Sequence, residues 1–167
     1  MNPPVLIAIA GTLLVAPAVG RPAPVSCDIK DVESVRDLEN VLSDRAIEAI
    51  NRAAGSAPDA RLAQLVAPTA PFSLGAGDVG RPLGVGEAGA RAFAREMKAD
   101  SYRVLGWDFI PTPIEDACMA RKVMVEFIDT RQHNVYPVTF SFEGGRIVSA
   151  EGWTRSYRTG PVMRAPD

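Results

Sequence analysis

Glu151 stands two residues before Trp153 in a stretch of alternating apolar residues, and the turn ahead of it sets where its side chain is expected to point. Gly144-Gly145 predicts a two-residue hairpin, because only glycine takes φ > 0 freely at both positions. That turn pairs Glu143 with Arg146, Phe140 with Ser149, Val138 with Glu151 and Tyr136 with Trp153. Glu151 then falls on the apolar face. Apolar surroundings disfavour the charged form of a carboxylate, which is how a general acid or base is tuned towards neutral pH. Tyr136 and Tyr102 are the candidate donors to an oxyanion or a ligand carbonyl. The alternative is a carboxylate at the sheet end, paired with an Arg of a helix.

Asp108 follows Trp107. If Tyr102, Val104 and Gly106 face inward, Asp108 does too and becomes a second catalytic carboxylate; otherwise it is an exposed strand-end residue. Arg155 shares parity with Glu151 and Trp153, and its planar guanidinium suits a ligand carboxylate. His133 falls in a turn among Arg131, Gln132 and Asn134, away from any chemistry. Two glycine runs, Gly75-x-Gly77-x-x-Gly80 and Gly84-x-Gly86-x-x-Gly89, match the dinucleotide fingerprint in spacing. Neither has a strand before it and a helix after it within a βαβ unit, so both read as a flexible Gly-rich connection. One His and two Cys cannot supply a zinc site of the usual ligands, and no metal or cofactor is expected.

The elements that must position these residues are legible from periodicity. Residues 31–54 carry helical apolar spacing (Val32, Val35, Leu38, Leu42, Ile47, Ile50), with Asp28 or Asp31 to cap and Gly55 to end it. Ser56-Ala57-Pro58-Asp59 resembles a capping box opening a short second helix, with Leu62, Leu65 and Val66 inward. Glu87–Ala99 reads as a third helix. Four strands follow: Tyr102–Ile110, Ala117–Asp129, Asn134–Glu143 and Arg146–Tyr157. A turn centred on Arg131-Gln132 pairs Phe127 with Tyr136 and Val125 with Val138. Pro137 lacks an N–H, so a bulge or a non-bonded position is expected there. One face then collects Val123, Val125, Phe127, Tyr136, Val138, Phe140, Phe142, Ile147 and Trp153, and the helices should cover it.

The chain has 167 residues, 47% hydrophobic and 23% charged, the balance of one globular domain. A net charge of −2 speaks against a nucleic-acid partner. Residues 1–20 carry no charged side chain, and the apolar run Val5–Ala16 is too short to span a bilayer but fits a secretory signal, with Ala16-Pro17-Ala18 as the small-x-small cleavage pattern. The expectation is an exported protein, periplasmic or secreted, with no stable membrane anchor. In such a compartment Cys27 and Cys118 are expected to form a disulfide, two unrelated buried thiols being the alternative.

The order of a long helix, a short helix, a Gly-rich link, a third helix and a meander of long strands resembles the SnoaL-like, or nuclear-transport-factor-two-like, superfamily. The residues that carry the resemblance are Ala60–Leu74, Gly84–Met97 and Val123–Trp153, and it covers roughly residues 31–157. The resemblance implies an α+β fold in which three N-terminal helices pack on a strongly curved antiparallel sheet, a cone with a cavity at its wide end, often a homodimer through the sheet. The expected organisation is a signal over 1–20, an arm over 21–30, the cone-shaped domain over 31–158 and a flexible tail over 159–167. Three functions fit: a module holding a small hydrophobic or aromatic molecule against Phe127, Tyr136, Phe140, Trp153, Tyr102 and Arg155; an isomerase, cyclase or dehydratase with Glu151 as base; or a dimeric interaction module without a pocket.

Overall fold

The computed structural model describes residues 27–105, 114 and 116–157. The expected signal over 1–20, Asp108 and the tail from residue 159 lie outside the described residues. Helix α1 (Val35–Ala53) buries Leu38, Leu42, Ala46, Ala49, Ile50 and Ala53 along one stripe. Its cap is Ser34 rather than an Asp: the Ser34 hydroxyl accepts from the Asp37 N–H and donates to the Asp37 carboxylate. Helix α2 (Ala60–Leu65) starts at Asp59, not Ser56, because the Asp59 carboxylate accepts from the Arg61 and Leu62 N–H groups. Helix α3 (Gly86–Met97) ends at Lys98, which takes the left-handed conformation.

The sheet has six strands: β1 (Pro71–Ala76), β2 (Val79–Val85), β3 (Ser101–Val104), β4 (Arg121–Asp129), β5 (Asn134–Glu143) and β6 (Arg146–Ser156). Their order is β2-β1-β6-β5-β4-β3. The Gly-rich stretch expected to be a flexible connection is therefore a hairpin, β1–β2, and it separates α3 from the first two helices. Glycine and proline hid it, since both are poor strand formers. The sheet is mixed rather than antiparallel, because β1 runs parallel to β6. The strand expected from Ala117 begins at Arg121.

The β4–β5 hairpin has the expected register, with Phe127 opposite Tyr136 and Val125 opposite Val138. The β5–β6 hairpin starts as expected, with Gly144 and Gly145 both at positive φ and Glu143 opposite Arg146. It then slips. Phe142 faces Ile147 but Ser141 faces Ser149, so Val148 is an extra, bulged residue. Beyond it every β6 side chain changes face: Val138 pairs with Gly152 and Thr139 with Glu151. Ala150 and Gly152 point inward, whereas Glu151, Trp153 and Arg155 lie on the outer face. At Pro137 there is no bulge; the β5–β6 ladder lapses at Tyr136 and Pro137 instead, as a missing N–H requires.

Volume explains the slip. Over β6 the inner layer is filled by Leu74 and Phe93, the latter edge-to-face with Phe72 at 5.7 Å between centroids. A Cβ added at Gly152 would lie 3.0 Å from both Leu74 and Phe93. Neither a carboxylate nor an indole fits there. On the outer face the Trp153 ring lies over Gly75, where an added Cβ would come within 2.2 Å of it.

Cys27 and Cys118 form the expected disulfide, 91 residues apart in sequence. It joins the segment before α1 to the loop ahead of β4. Asp28 adds an ion pair to Arg45 at 2.7 Å, and Arg45 also donates to the Gly145 carbonyl.

Gly75→Val is expected to destabilise the fold by about 1–3 kcal/mol in urea unfolding through overpacking, and Trp153→Ala in the same chain to recover most of that loss. Opening the disulfide (Cys27→Ser with Cys118→Ser) is expected to cost about 4–5 kcal/mol in the same measurement, by the chain-entropy argument for a loop of this length.

Candidate functional site

Among the described residues the aromatic inner face is mostly packed core. Phe140 and Val138 are fully buried, Tyr136 and Phe127 nearly so, and Phe127 meets Phe140 edge-to-face at 6.1 Å. Burial raises the Tyr136 phenol pKa, a hydrogen bond with Asn134 opposing it. Open space begins where this layer stops. A partly enclosed recess of about 190 Å³ lies between the C-terminal end of α1 (Ile50, Asn51, Ala54), Ala94 of α3, and the segment Ala99–Tyr102 with Phe127 behind it. Three alanines make the room, since none reaches across to Phe127.

The recess continues outward. Asn51 and Tyr102 also line a wider, open hollow of about 510 Å³ with Asp44, Ile47, Glu48 and Arg52. Tyr102 stands directly opposite Phe127 in the β3–β4 ladder, so it shares the inner face, but at the sheet margin it is 52% exposed. Asp100 is locked to the next turn: its carboxylate accepts from the Thr130 hydroxyl at 2.7 Å and from the Thr130 N–H at 3.3 Å. The Thr130 hydroxyl hydrogen bond, ahead of an opposing loss of hydration, holds the Asp100 carboxyl below its usual range.

Around the outer hollow, charges are mostly paired. Arg52 donates to Glu48 at 2.7 Å and to Asp59 at 2.9 Å, and Arg61 reaches Glu48 as well. Burial works against the Glu48 charge, but the hydrogen bonds from Arg61 and Arg52 outweigh it and keep that carboxyl low. Asp59 is kept low chiefly by Arg52, and Asp28 by Arg45. Asp44 is exposed and makes no ion pair among the described residues.

Of the residues singled out by sequence, the structure brings Phe127 and Tyr102 together at this recess. Tyr136 and Phe140 are enclosed beneath α1 and α3. Trp153 and Arg155 are on the opposite face of the sheet. Glu151 is exposed there, between Ser73 and Thr139, so the apolar wall that would have made it a base is absent. The reason is the Val148 bulge, whose signal in the sequence is the small residues at alternate positions 150 and 152. Asn51, Ala94, Ala99, Asp100 and Ser101 were missed: Asn51 and Ala94 look like ordinary positions within helices, and Ala99–Ser101, at the junction of α3 and β3, carry no periodicity. His133 is in the turn, as expected, at positive φ and edge-on to Tyr157. Among the described residues no three His, Cys, Asp or Glu side chains gather as a metal would require. A third hollow, about 460 Å³, lies at the other end of the sheet beside the Glu39–Arg121 ion pair and is widely open.

The sequence matches no family model. It matches no curated protein either. Among solved structures the chain is similar to an NTF2-like protein of unknown function from Methylobacillus flagellatus KT, at 14% identity over 78% of this chain and 98% of that one, with a TM-score of 0.46. It is similar to a phenazine biosynthesis-related protein from Pseudomonas aeruginosa, at 12% identity over 83% and 96% of the two chains, with a TM-score of 0.40. A de novo designed protein with a curved β-sheet is similar at 14% identity over 70% and 86%, with a TM-score of 0.41.

The lowered carboxyls carry a pH dependence of definite sign. Each contributes stability above its unfolded value and loses it as pH falls through its lower folded value. The melting temperature is therefore expected to drop on acidification below about pH 4. Arg52→Met is expected to flatten part of that drop, because it removes the partner shared by Glu48 and Asp59; thermal denaturation of both proteins across the acid range checks this.

Proposed function

We propose that the chain is an exported small-molecule-binding domain whose ligand occupies the recess between α1, α3 and β3. The observation that carries the reading is the pairing of an enclosed apolar floor (Ile50, Ala94, Phe127) with polar groups at its rim (Asn51, Ser101, Tyr102). Binding sites are built this way, since apolar burial supplies affinity and a few fixed polar groups supply orientation. The floor belongs to elements held by the core, so the site is largely preformed.

Binding is favoured over proton transfer by the state of Asp100. A carboxylate held low by a hydroxyl donor is a weak base near neutral pH, and Asp100 is the one acidic side chain on the inner recess among the described residues. Export is supported by the disulfide, which suits an oxidising compartment, and no helix among the described residues is long and apolar enough to cross a membrane. The outer sheet face, with Met124 exposed and Ile128, Val135 and Trp153 half-buried, is the surface on which a second copy would pack.

The recess reading is tested with 2-phenylethanol, a neutral one-ring probe, followed by amide NMR. Saturable shifts are expected at Asn51, Ser101 and Tyr102. Ala54→Trp, at an exposed position on the rim, is expected to weaken the probe by about tenfold or more through loss of the burial it fills, with the melting temperature unchanged. No saturable shift, or shifts confined to the outer sheet face, would sink the proposal.

A further inference from the structure

The recess has a chemical sign as well as a size, and this deepens the proposal above, on which it rests. Its volume, about 190 Å³, compares with the roughly 150 Å³ of an apolar cavity that takes up benzene. One aromatic ring fits inside. Beyond the ring, the lining is unevenly charged. Arg52, the cation on the outer hollow, is consumed by Glu48 and Asp59. Glu48 is in turn consumed by Arg52 and Arg61. Two carboxylates are left without an ion-pair partner among the described residues: Asp100 on the inner recess and Asp44 on the outer hollow. Asp100 has neutral partners in Thr130 and Ser101, and Arg131 adds a weaker favourable charge. A carboxylate offers about four acceptor sites, so one remains for a ligand. The exposed ring of Tyr102 lines both spaces, and the face of such a ring attracts a cation.

We infer that the recess selects a one-ring organic cation, an arylalkylamine, with its ring against Ile50, Ala94 and Phe127 and its ammonium at Asp100 beside Tyr102. The outer hollow with Asp44 draws such a ligand in and is the place for a substituent on the amine.

Calorimetric titration with three probes of one ring and one linker decides the matter: phenethylamine, 2-phenylethanol and phenylacetate, which differ in charge. The amine is expected to bind about threefold to fivefold tighter than the alcohol, and the carboxylate weakest, because Asp100 is exposed and an ammonium–carboxylate contact in water is worth about that factor. Asp100→Asn is expected to remove most of the amine's advantage over the alcohol. Asp44→Asn, at an exposed side chain on which no packing rests, is expected to weaken the amine by a smaller factor and gives a second reading if Asp100→Asn fails to fold. Equal affinities for amine and alcohol, or a preference for phenylacetate, would overturn the cation assignment while leaving the recess as a binding site. Affinity for none of the three would overturn both. Amine binding unmoved in every variant that folds would also overturn the assignment.

Discussion

The fold turns on how much volume the middle of the sheet can accept on each side of β6. This strand has neighbours on both edges, β1 and β5, so its residues cannot drift. Its inner side lies under Phe93 and Leu74, and its outer side has room for an indole only because Gly75 is next door. A register with Glu151 and Trp153 inward would bury a carboxylate without a partner and force an indole into an occupied layer. The first is costly by desolvation and the second by overpacking. Inserting Val148 as a bulge costs one interruption of a ladder near a turn, which is much less. The tight Gly-Gly turn and the packed interior thus make conflicting demands on β6, and the single extra residue reconciles them.

That solution moves the available space. Because small residues face inward on β6, the large rings of β1, β4, β5 and α3 close over the centre and leave no chamber there. Among the described residues the enclosed space lies where the layer thins, past Phe127 at the margin. There α1 and α3 end in alanines, and the next strand opposes Phe127 with a tyrosine that lies half in water. A peripheral recess of this kind differs from a deep cone in what it can hold. On the proposed reading it would hold one end of a small molecule and leave the other end in contact with charged side chains at the rim.

The helices, the β4–β5 register and the cysteine pairing were legible because each rests on a local or counting signal: apolar residues at helical spacing, a turn of defined length, an even count of two cysteines. The β1–β2 hairpin was not, since Gly75, Gly77, Gly80, Pro82 and Gly84 suppress every propensity for a strand, and its pairing depends on β6 beside it. The β6 register beyond Ser149 was not, because it is decided by volumes contributed from α3 and β1, far away in sequence. Alternating small residues at Ala150 and Gly152 were the one local trace of it. The site was half legible: Tyr102 and Phe127 stand out as aromatics in strands, whereas Asn51, Asp100 and the alanines acquire meaning only when α1, α3 and β3 meet.

The two ends of the sheet are stabilised by different physics, and this bears on the recess. The disulfide, the Arg45 contacts with Asp28 and Gly145, and the Arg121–Glu39 pair all gather at the β5–β6 turn. The recess lies at the other end, beside the β4–β5 turn, a full length of β5 away. What holds that end is lighter: Asp100 on Thr130, and Asp129 accepting from the Arg131 and Gln132 N–H groups. The covalent tie therefore restrains the end away from the recess, while hydrogen bonds and partly exposed ion pairs set the recess end. Local stability is lowest where few buried contacts and ties converge, so adjustment to a ligand is concentrated in the Lys98–Tyr102 segment. The rigid floor of Ile50 and Phe127 stays in place beneath it. An Asp100 that is part of the turn lock and part of the recess rim couples the two, because a ligand cation reaching its remaining acceptor site also strengthens the contact that closes the end of the sheet.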